Sequence, residues 1–363
     1  MELSEFDFEL PPELIAQRPL EERDASRMLV IDRQKDTMQD CQFRDFPEML
    51  RGDELIVLNN ARVLPARLFG RREGARSEKP GQNSGARREH LSASIEVLLV
   101  RQVESDLWET LVRPGRKIPV GERIIFGAGE LEARVENRGG YGLRLLRFTS
   151  KTGFHEALAR LGHIPLPPYI KRADEPLDRE RYQTVYARQG SAVAAPTAGL
   201  HFTPEILKRL LDRGIEIAEI TLDVGLGTFE PVRTERLEDH KIHNESYEIS
   251  EAAAQAVTKA KSEGRPVMAI GTTVVRALED AAEKSSGQGE VLSPGTAEAS
   301  IFIYPGKPIR IVDQLLTNFH LPRSSLLALV ATLVGREKIL QAYGHAVGAG
   351  YRFYSYGDCM LIR

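Results

Sequence analysis

Two spacings of apolar residues divide the chain. Between residues 94 and 148 the apolar positions fall in short runs: Ile95–Val100, Trp108–Val112, Arg123–Phe126, Leu131–Val135 and Leu143–Leu146. Pro114-Gly115, Val120-Gly121, Gly127-Ala128-Gly129 and Gly139-Gly140 punctuate them. Short runs broken by turn residues at this interval predict a small antiparallel barrel or sandwich. Beyond about residue 150, apolar runs alternate with amphipathic ones. Ile206-Leu207-Lys208-Arg209-Leu210-Leu211 predicts a helix over Pro204–Arg213, with Thr203 as its N-cap, Pro204 at its first position and Gly214 just past its end. Glu251–Ser262, Thr273–Lys284 and Ser324–Val334 read as further helices; Ala192–Ala195, Ile215–Val224, Pro266–Ile270 and Ala299–Ile303 read as strands. The alternation predicts an α/β fold, a mainly parallel sheet flanked by helices. Met28–Ile31 and Leu55–Leu58 are strand-like too. The α/β domain is therefore expected to be discontinuous, 1–65 and 151–363, with a small antiparallel β-barrel inserted as 66–150. Gly/Ser-rich, charged residues 73–92 are expected to form a mobile loop.

A length of 363 residues fits two domains, and 42% hydrophobic residues is ample for folded cores. No apolar run approaches the roughly 18 residues of a membrane helix. The N-terminus, Met-Glu-Leu-Ser-Glu-Phe-Asp, is acidic and lacks the basic-then-apolar order of a secretory signal. Cys41 and Cys359 are too far apart in sequence to suggest a disulfide framework or a metal-ligand spacing, so a cytoplasmic location is expected. Net charge is −3, but unevenly spread. Arg62 to Ser150 holds 17 basic and 11 acidic residues, leaving 32 basic against 41 acidic elsewhere. A basic module inside an acidic protein is what an RNA- or DNA-facing barrel would show, and also what an ordinary charged β surface would show.

In sheets of this kind ligands bind beyond the carboxyl ends of the strands. Three polar, glycine-bearing loops fall there: Pro196–Thr203, Asp223–Phe229 and Gly271-Thr272-Thr273, the last leading into a helix that contains Arg276. Glycine lets backbone approach a ligand, and helix N-termini offer free N–H groups. Of the histidines, His90 and His155 read as surface residues and His163 as structural, whereas His201, His243 and His320 sit in polar loops or at loop–helix junctions. Imidazole suits proton transfer near neutral pH. No His-Glu-x-x-His helix, Cys/His cluster, Gly-x-Ser-x-Gly elbow, phosphate-loop motif or early Gly-x-Gly-x-x-Gly is present, so neither a metal site nor a dinucleotide cofactor is expected.

These loops belong to a longer series. It starts with Leu10–Gln17, Arg23–Arg27 and Leu58–Val63, and continues with Ile164-Pro165-Leu166-Pro167-Pro168-Tyr169-Ile170 and Pro196-Thr197-Ala198-Gly199-Leu200-His201-Phe202-Thr203. Thr221–Phe229, Gly271–Arg276, Thr317-Asn318-Phe319-His320-Leu321-Pro322 and Tyr354-Ser355-Tyr356-Gly357-Asp358 complete it. In this order, over nearly the whole chain, they resemble the S-adenosylmethionine:tRNA ribosyltransferase-isomerase family of queuosine biosynthesis. The chain departs from the family pattern at Asp223, where the family has His, at Ser325 and at Lys307-Pro308, and residues 73–92 look like an insertion.

The resemblance implies an α/β domain with an inserted barrel. It also implies transfer and isomerisation of the ribosyl group of S-adenosylmethionine onto 7-aminomethyl-7-deazaguanine at the tRNA wobble position, giving epoxyqueuosine and releasing adenine and methionine. S-Adenosylmethionine is then a co-substrate, no cofactor is needed, tRNA is the partner, and a monomer is expected. On this basis His201 is the first candidate for acid/base work, followed by His320 and His243, and Arg276 is the candidate for the methionine carboxylate. Thr197, Gly199, Gly225, Gly227, Thr228, Thr272, Thr273 and Asn318 are candidates for cradling the nucleoside, and Phe202 or Phe229 for stacking on adenine. Asp223 and Asp358 are candidates for ribose hydroxyls or for positioning the amine, and Arg113, Arg116 and Lys117 for tRNA phosphates. The alternatives are an S-adenosylmethionine-dependent RNA methyltransferase and a non-catalytic RNA-binding protein.

Overall fold

The computed structural model describes residues 1–72, 94–115, 118–225, 234–240, 242, 244–285 and 291–363. The expected mobile loop, 73–92, lies outside them. The chain divides into two compact units, one of Met1–Arg62, Pro167–Ala173 and Glu180–Arg363, the other of Val63–Leu166 and Asp174–Arg179.

The first unit is built on a nine-stranded mixed sheet, ordered Gly295–Ala299, Glu245–Ile249, Glu216–Leu222, Leu55–Asn59, Val267–Ile270, Gln314–Asn318, Cys359–Ile362, Arg27–Asp32 and Thr37–Gln42. The middle four, from Glu216–Leu222 to Gln314–Asn318, run parallel. Outside them the direction reverses: Glu245–Ile249 is antiparallel to both its neighbours, and Cys359–Ile362 is antiparallel to Gln314–Asn318 while pairing parallel with Arg27–Asp32. The parallel core is apolar on both faces, as helices on both sides demand. Leu55 and Val57 join the core formed with the helices Glu251–Ser262, Thr272–Ser285, Ser325–Val334 and Arg336–Gly348; Ile56 and Leu58 point the other way, into the core under Pro204–Asp212. Pro204–Asp212 begins as its sequence requires, with the Thr203 hydroxyl accepting the Ile206 N–H at 3.2 Å.

Two expected strands are displaced. Val193, Ala194 and Ala195 form no strand; the strand there is Gln189–Ala192, and the N–H groups of Val193 and Ala194 both go to the Val224 carbonyl. Ala299–Ile303 is replaced by Gly295–Ala299, because the N–H groups of Ser300 and Ile301 are taken by the buried Asp280 carboxylate and leave the ladder. Among the described residues no helix is long and apolar enough to cross a membrane.

The second unit is a closed barrel of six antiparallel strands: Arg67–Arg72, Ile95–Gln102, Leu107–Arg113, Arg123–Phe126, Leu131–Arg138 and Leu143–Ser150. Arg67–Arg72 is the strand the apolar spacing does not announce, because only Leu68 in it is fully buried. The helix Phe154–Leu161 belongs with the barrel rather than with the α/β unit. Phe154 packs on Trp108 and Phe148, with ring centroids 5.5 and 5.1 Å apart, which carries the unit past residue 150 to Leu166.

Candidate active site

The four parallel strands deliver their carboxyl ends to one edge of the sheet. A cavity there, of about 110 Å³, is lined by Ala195–Ala198, Val224, Gly271–Thr273, Thr317–Leu326, Tyr169, Tyr354 and Ser355. Each wall follows from local chemistry. Gly271 turns the chain from strand to helix at φ +95°, a backbone region open to glycine, and places Thr272 and Thr273 on the first turn of a fourteen-residue helix. Ser324 caps a second helix at the cavity: its hydroxyl accepts the Leu327 N–H and donates to the Leu321 carbonyl. Free N–H groups of two helix starts therefore face this region. Asn318, the last residue of its strand, donates to the Tyr354 carbonyl at 2.9 Å. Tyr354 sits at φ +70°, a position that costs a bulky residue energy and is kept only where neighbours fix it. Its ring lies 4.6 Å from that of Tyr169, whose hydroxyl is 2.6 Å from the Ser355 hydroxyl.

Two polar atoms in this wall are buried without a protein partner, Thr273 Oγ1 and Tyr354 OH, and a third, Asn318 Oδ1, has only the His201 ring beside it. Burial normally forces such atoms into hydrogen bonds, so a cluster of orphans marks a place prepared for a ligand or water. His320 also lines the cavity. Its Nε2 is 3.0 Å from Thr317 Oγ1 and its backbone N–H donates to the Tyr343 hydroxyl. Burial pushes its imidazole down to about 3, so the ring is neutral at physiological pH.

Thr197, Thr272, Thr273, Asn318 and His320 are brought together as expected. Others are not. His201 stands outside the cavity wall, with Nδ1 2.9 Å from the Ser26 hydroxyl and its ring 5.3 Å from Phe43. Burial pushes it down to about 4, partly offset by the neighbouring Asn318 carboxamide. Gly199 is a packing glycine: a Cβ there would lie 2.1 Å from the Tyr186 hydroxyl. Phe202 is core, edge-on to Phe43, Phe46 and Tyr186, and cannot stack on a ligand. Arg276 is buried against Glu245, so its guanidinium already holds a carboxylate. The same Glu245 accepts the Gly225 N–H at 3.1 Å and so fixes the loop after Leu222. Asp358 accepts the backbone N–H groups of Arg27 and Arg352, a bracket between chain segments rather than a ligand group. Asp223 is half-buried and does not line the cavity. Arg113 is exposed at the end of its barrel strand. Gly227, Thr228, Phe229, His243, Arg116 and Lys117 lie outside the described residues.

The profile of a family described as queuosine biosynthesis protein matches residues 3–362. The chain belongs to that family. Two curated relatives, each named S-adenosylmethionine:tRNA ribosyltransferase-isomerase, match over the full length of both chains: one from Solibacter usitatus at 52% identity and one from Moorella thermoacetica at 51%. A crystal structure of an S-adenosylmethionine tRNA ribosyltransferase from Thermotoga maritima is similar over 99% of this chain and 100% of its own, with 34% identity and a TM-score of 0.54.

For a queuosine biosynthesis protein the cavity also contains residues that sequence reasoning left without a role: Tyr169, Thr317, Ser324, Tyr354 and Ser355. A signal was present. Pro-Pro-Tyr and Tyr-Ser-Tyr are compact aromatic motifs flanking turns, but nothing in their spacing shows that segments 185 residues apart meet.

Proposed function

We propose that the cavity carries the reaction of the family: ribosyl transfer and isomerisation from S-adenosylmethionine onto 7-aminomethyl-7-deazaguanine in the tRNA wobble position, with release of adenine and methionine. The sulfonium acidifies the hydrogens on the ribose 5′ carbon. Removal of one gives an ylide that expels adenine; the tRNA amine then attacks the ribose-derived chain, and epoxide closure expels methionine. The sequence of steps needs a proton acceptor, a donor for adenine, and contacts for hydroxyls and a carboxylate.

His320 is the proton acceptor in this reading, since it is in the cavity and held in its base form. Tyr354 is the donor to departing adenine: burial pushes its phenol up, so it keeps its proton, and its hydroxyl has no protein acceptor. The Tyr169 and Tyr354 rings take the stacking role first given to Phe202 or Phe229. The carboxylate goes to the helix start at Thr272-Thr273, because Arg276 is already occupied.

The observation that carries the reading is the pair of buried, unpartnered hydroxyls of Thr273 and Tyr354 around a cavity at the parallel strand ends. The decisive experiment incubates the protein with S-adenosylmethionine and tRNA bearing the deazaguanine precursor. Free adenine and methionine are expected in equal amounts. S-Adenosylhomocysteine in place of adenine would identify a methyltransferase, and no turnover despite tRNA binding would identify an RNA-binding protein.

A further inference from the structure

Behind the reaction cavity lies a small cleft lined by Arg23, Ser26, Arg181, His201, Ser355 and Tyr356. Ser355 belongs to both walls. Arg352 stands three residues before it and, like Arg23, bears electrostatically on the His201 ring. These three arginines are held by neutral acceptors. Arg23 donates to the carbonyls of Leu200 at 3.1 Å and Glu180 at 2.8 Å, Arg181 to that of Glu21 at 2.8 Å, and Arg352 to that of Arg18. None makes an ion pair among the described residues. Nε of Arg181 and Nη1 of Arg352 are buried donors with no acceptor.

The nearby carboxylates neutralise them only in part. Glu22 lines the cleft but lies 3.3 Å from Arg44, Asp358 accepts two backbone N–H groups while its charge bears on Arg352, and Glu180 bears on Arg23 without pairing. Burial and the charge of Arg181 make the Arg23 cation costly, and burial does the same to Arg352. An incoming anion would relieve both. The barrel offers a contrast: Arg72, Arg101, Arg123 and Arg147 face Glu122, Glu109, Glu132 and Glu136, so much of its apparent basicity is balanced internally.

Resting on the functional reading above, we propose that Arg23, Arg181 and Arg352 bind a backbone phosphate of the tRNA whose base enters the adjoining cavity. A base in the cavity brings its own phosphate within one nucleotide of Ser355. Half-buried arginines locked onto carbonyls meet that phosphate already oriented, with bidentate donors.

The test measures the dissociation constant of the full chain for precursor-bearing tRNA against salt concentration, with Arg181→Gln, Arg352→Gln and Arg352→Lys. Each Gln variant should lower the slope of log affinity against log salt by about 0.7–1 and weaken tRNA binding. Arg352→Lys should keep the slope, and S-adenosylmethionine affinity should be unchanged throughout. Wild-type slopes in both Gln variants would overturn the proposal. So would loss of S-adenosylmethionine affinity with tRNA binding intact, which would make the arginines a site for the methionine carboxylate. For any variant that does not fold, phenylglyoxal labelling of the wild type gives the answer: tRNA should protect Arg23, Arg181 and Arg352, and unprotected labelling would sink the idea. Absence of adenine release from the wild type would refute the functional reading; normal release with unaltered slopes and labelling would refute the arginine site alone.

Discussion

The carboxyl edge of the sheet has two halves that read alike and behave differently. One half, Thr272-Thr273 with Thr317–Ser325 and Tyr354-Ser355, leaves buried polar atoms without partners around a cavity. The other, Gly199–Phe202 with Arg276, Glu245 and Asp358, is built of equally conspicuous residues, but apart from His201 Nε2, which faces only the Asn318 carboxamide, they are packed in the core or bonded within the protein. The difference separates two reasons for a distinctive motif: one half is arranged for a ligand, the other holds that arrangement still. Substitutions in the first half should change turnover without changing stability, and those in the second should do the reverse.

The largest effect should come from His320→Gln, which lowers single-turnover adenine release by about 10²–10⁴-fold if the ring is the proton acceptor. A near-normal rate would move the acceptor elsewhere and weaken the division between the halves. Next is Phe202→Ala. Emptying the site between Phe43, Phe46 and Tyr186 should cost about 3–5 kcal/mol in denaturant unfolding, while the fraction still folded turns over normally.

Acid separates the two halves less sharply, because each contains a buried neutral histidine. His201 and His320 are pushed down to about 4 and about 3, against roughly 6.5 in the unfolded chain. The unfolded state therefore binds protons first, and stability is fully present above pH 6.5 and lost as pH falls towards 4. Each histidine should contribute a slope of about 1.4 kcal/mol per pH unit in that window. His201→Asn should remove one such slope; an unchanged acid transition would show that the ring is not held neutral. Smallest is Thr273→Val. Its hydroxyl has no protein partner, so melting should not change, while S-adenosylmethionine binding should weaken by about 1 kcal/mol, roughly fivefold. A fall in melting temperature would assign Thr273 to the holding half.

How far the sequence could be read follows the same division. Strongly periodic elements were plain: the helix Glu251–Ser262 has the bounds expected of it, and the barrel's turn residues separate real strands. Gln314–Asn318 was missed because its polar residues, Gln314, Thr317 and Asn318, are buried by neighbours far along the chain. Sequence singled out Arg276 and His201 by residue type, but a residue type does not tell whether Glu245 or a ligand carboxylate sits opposite it. Tyr169 and Tyr354 meet only through tertiary packing, and no local pattern announces it.

The strand Cys359–Ile362 sits between Gln314–Asn318 and Arg27–Asp32, with Met28 opposite Cys359. On the ribosome the hairpin Arg27–Gln42 is made early, and its only route into the sheet is this late strand. At about 5–20 residues per second it waits on the order of tens of seconds, its edge open to any other strand. The same late segment carries Tyr354 and Ser355, so a nascent chain has no finished cavity to offer until that segment is made.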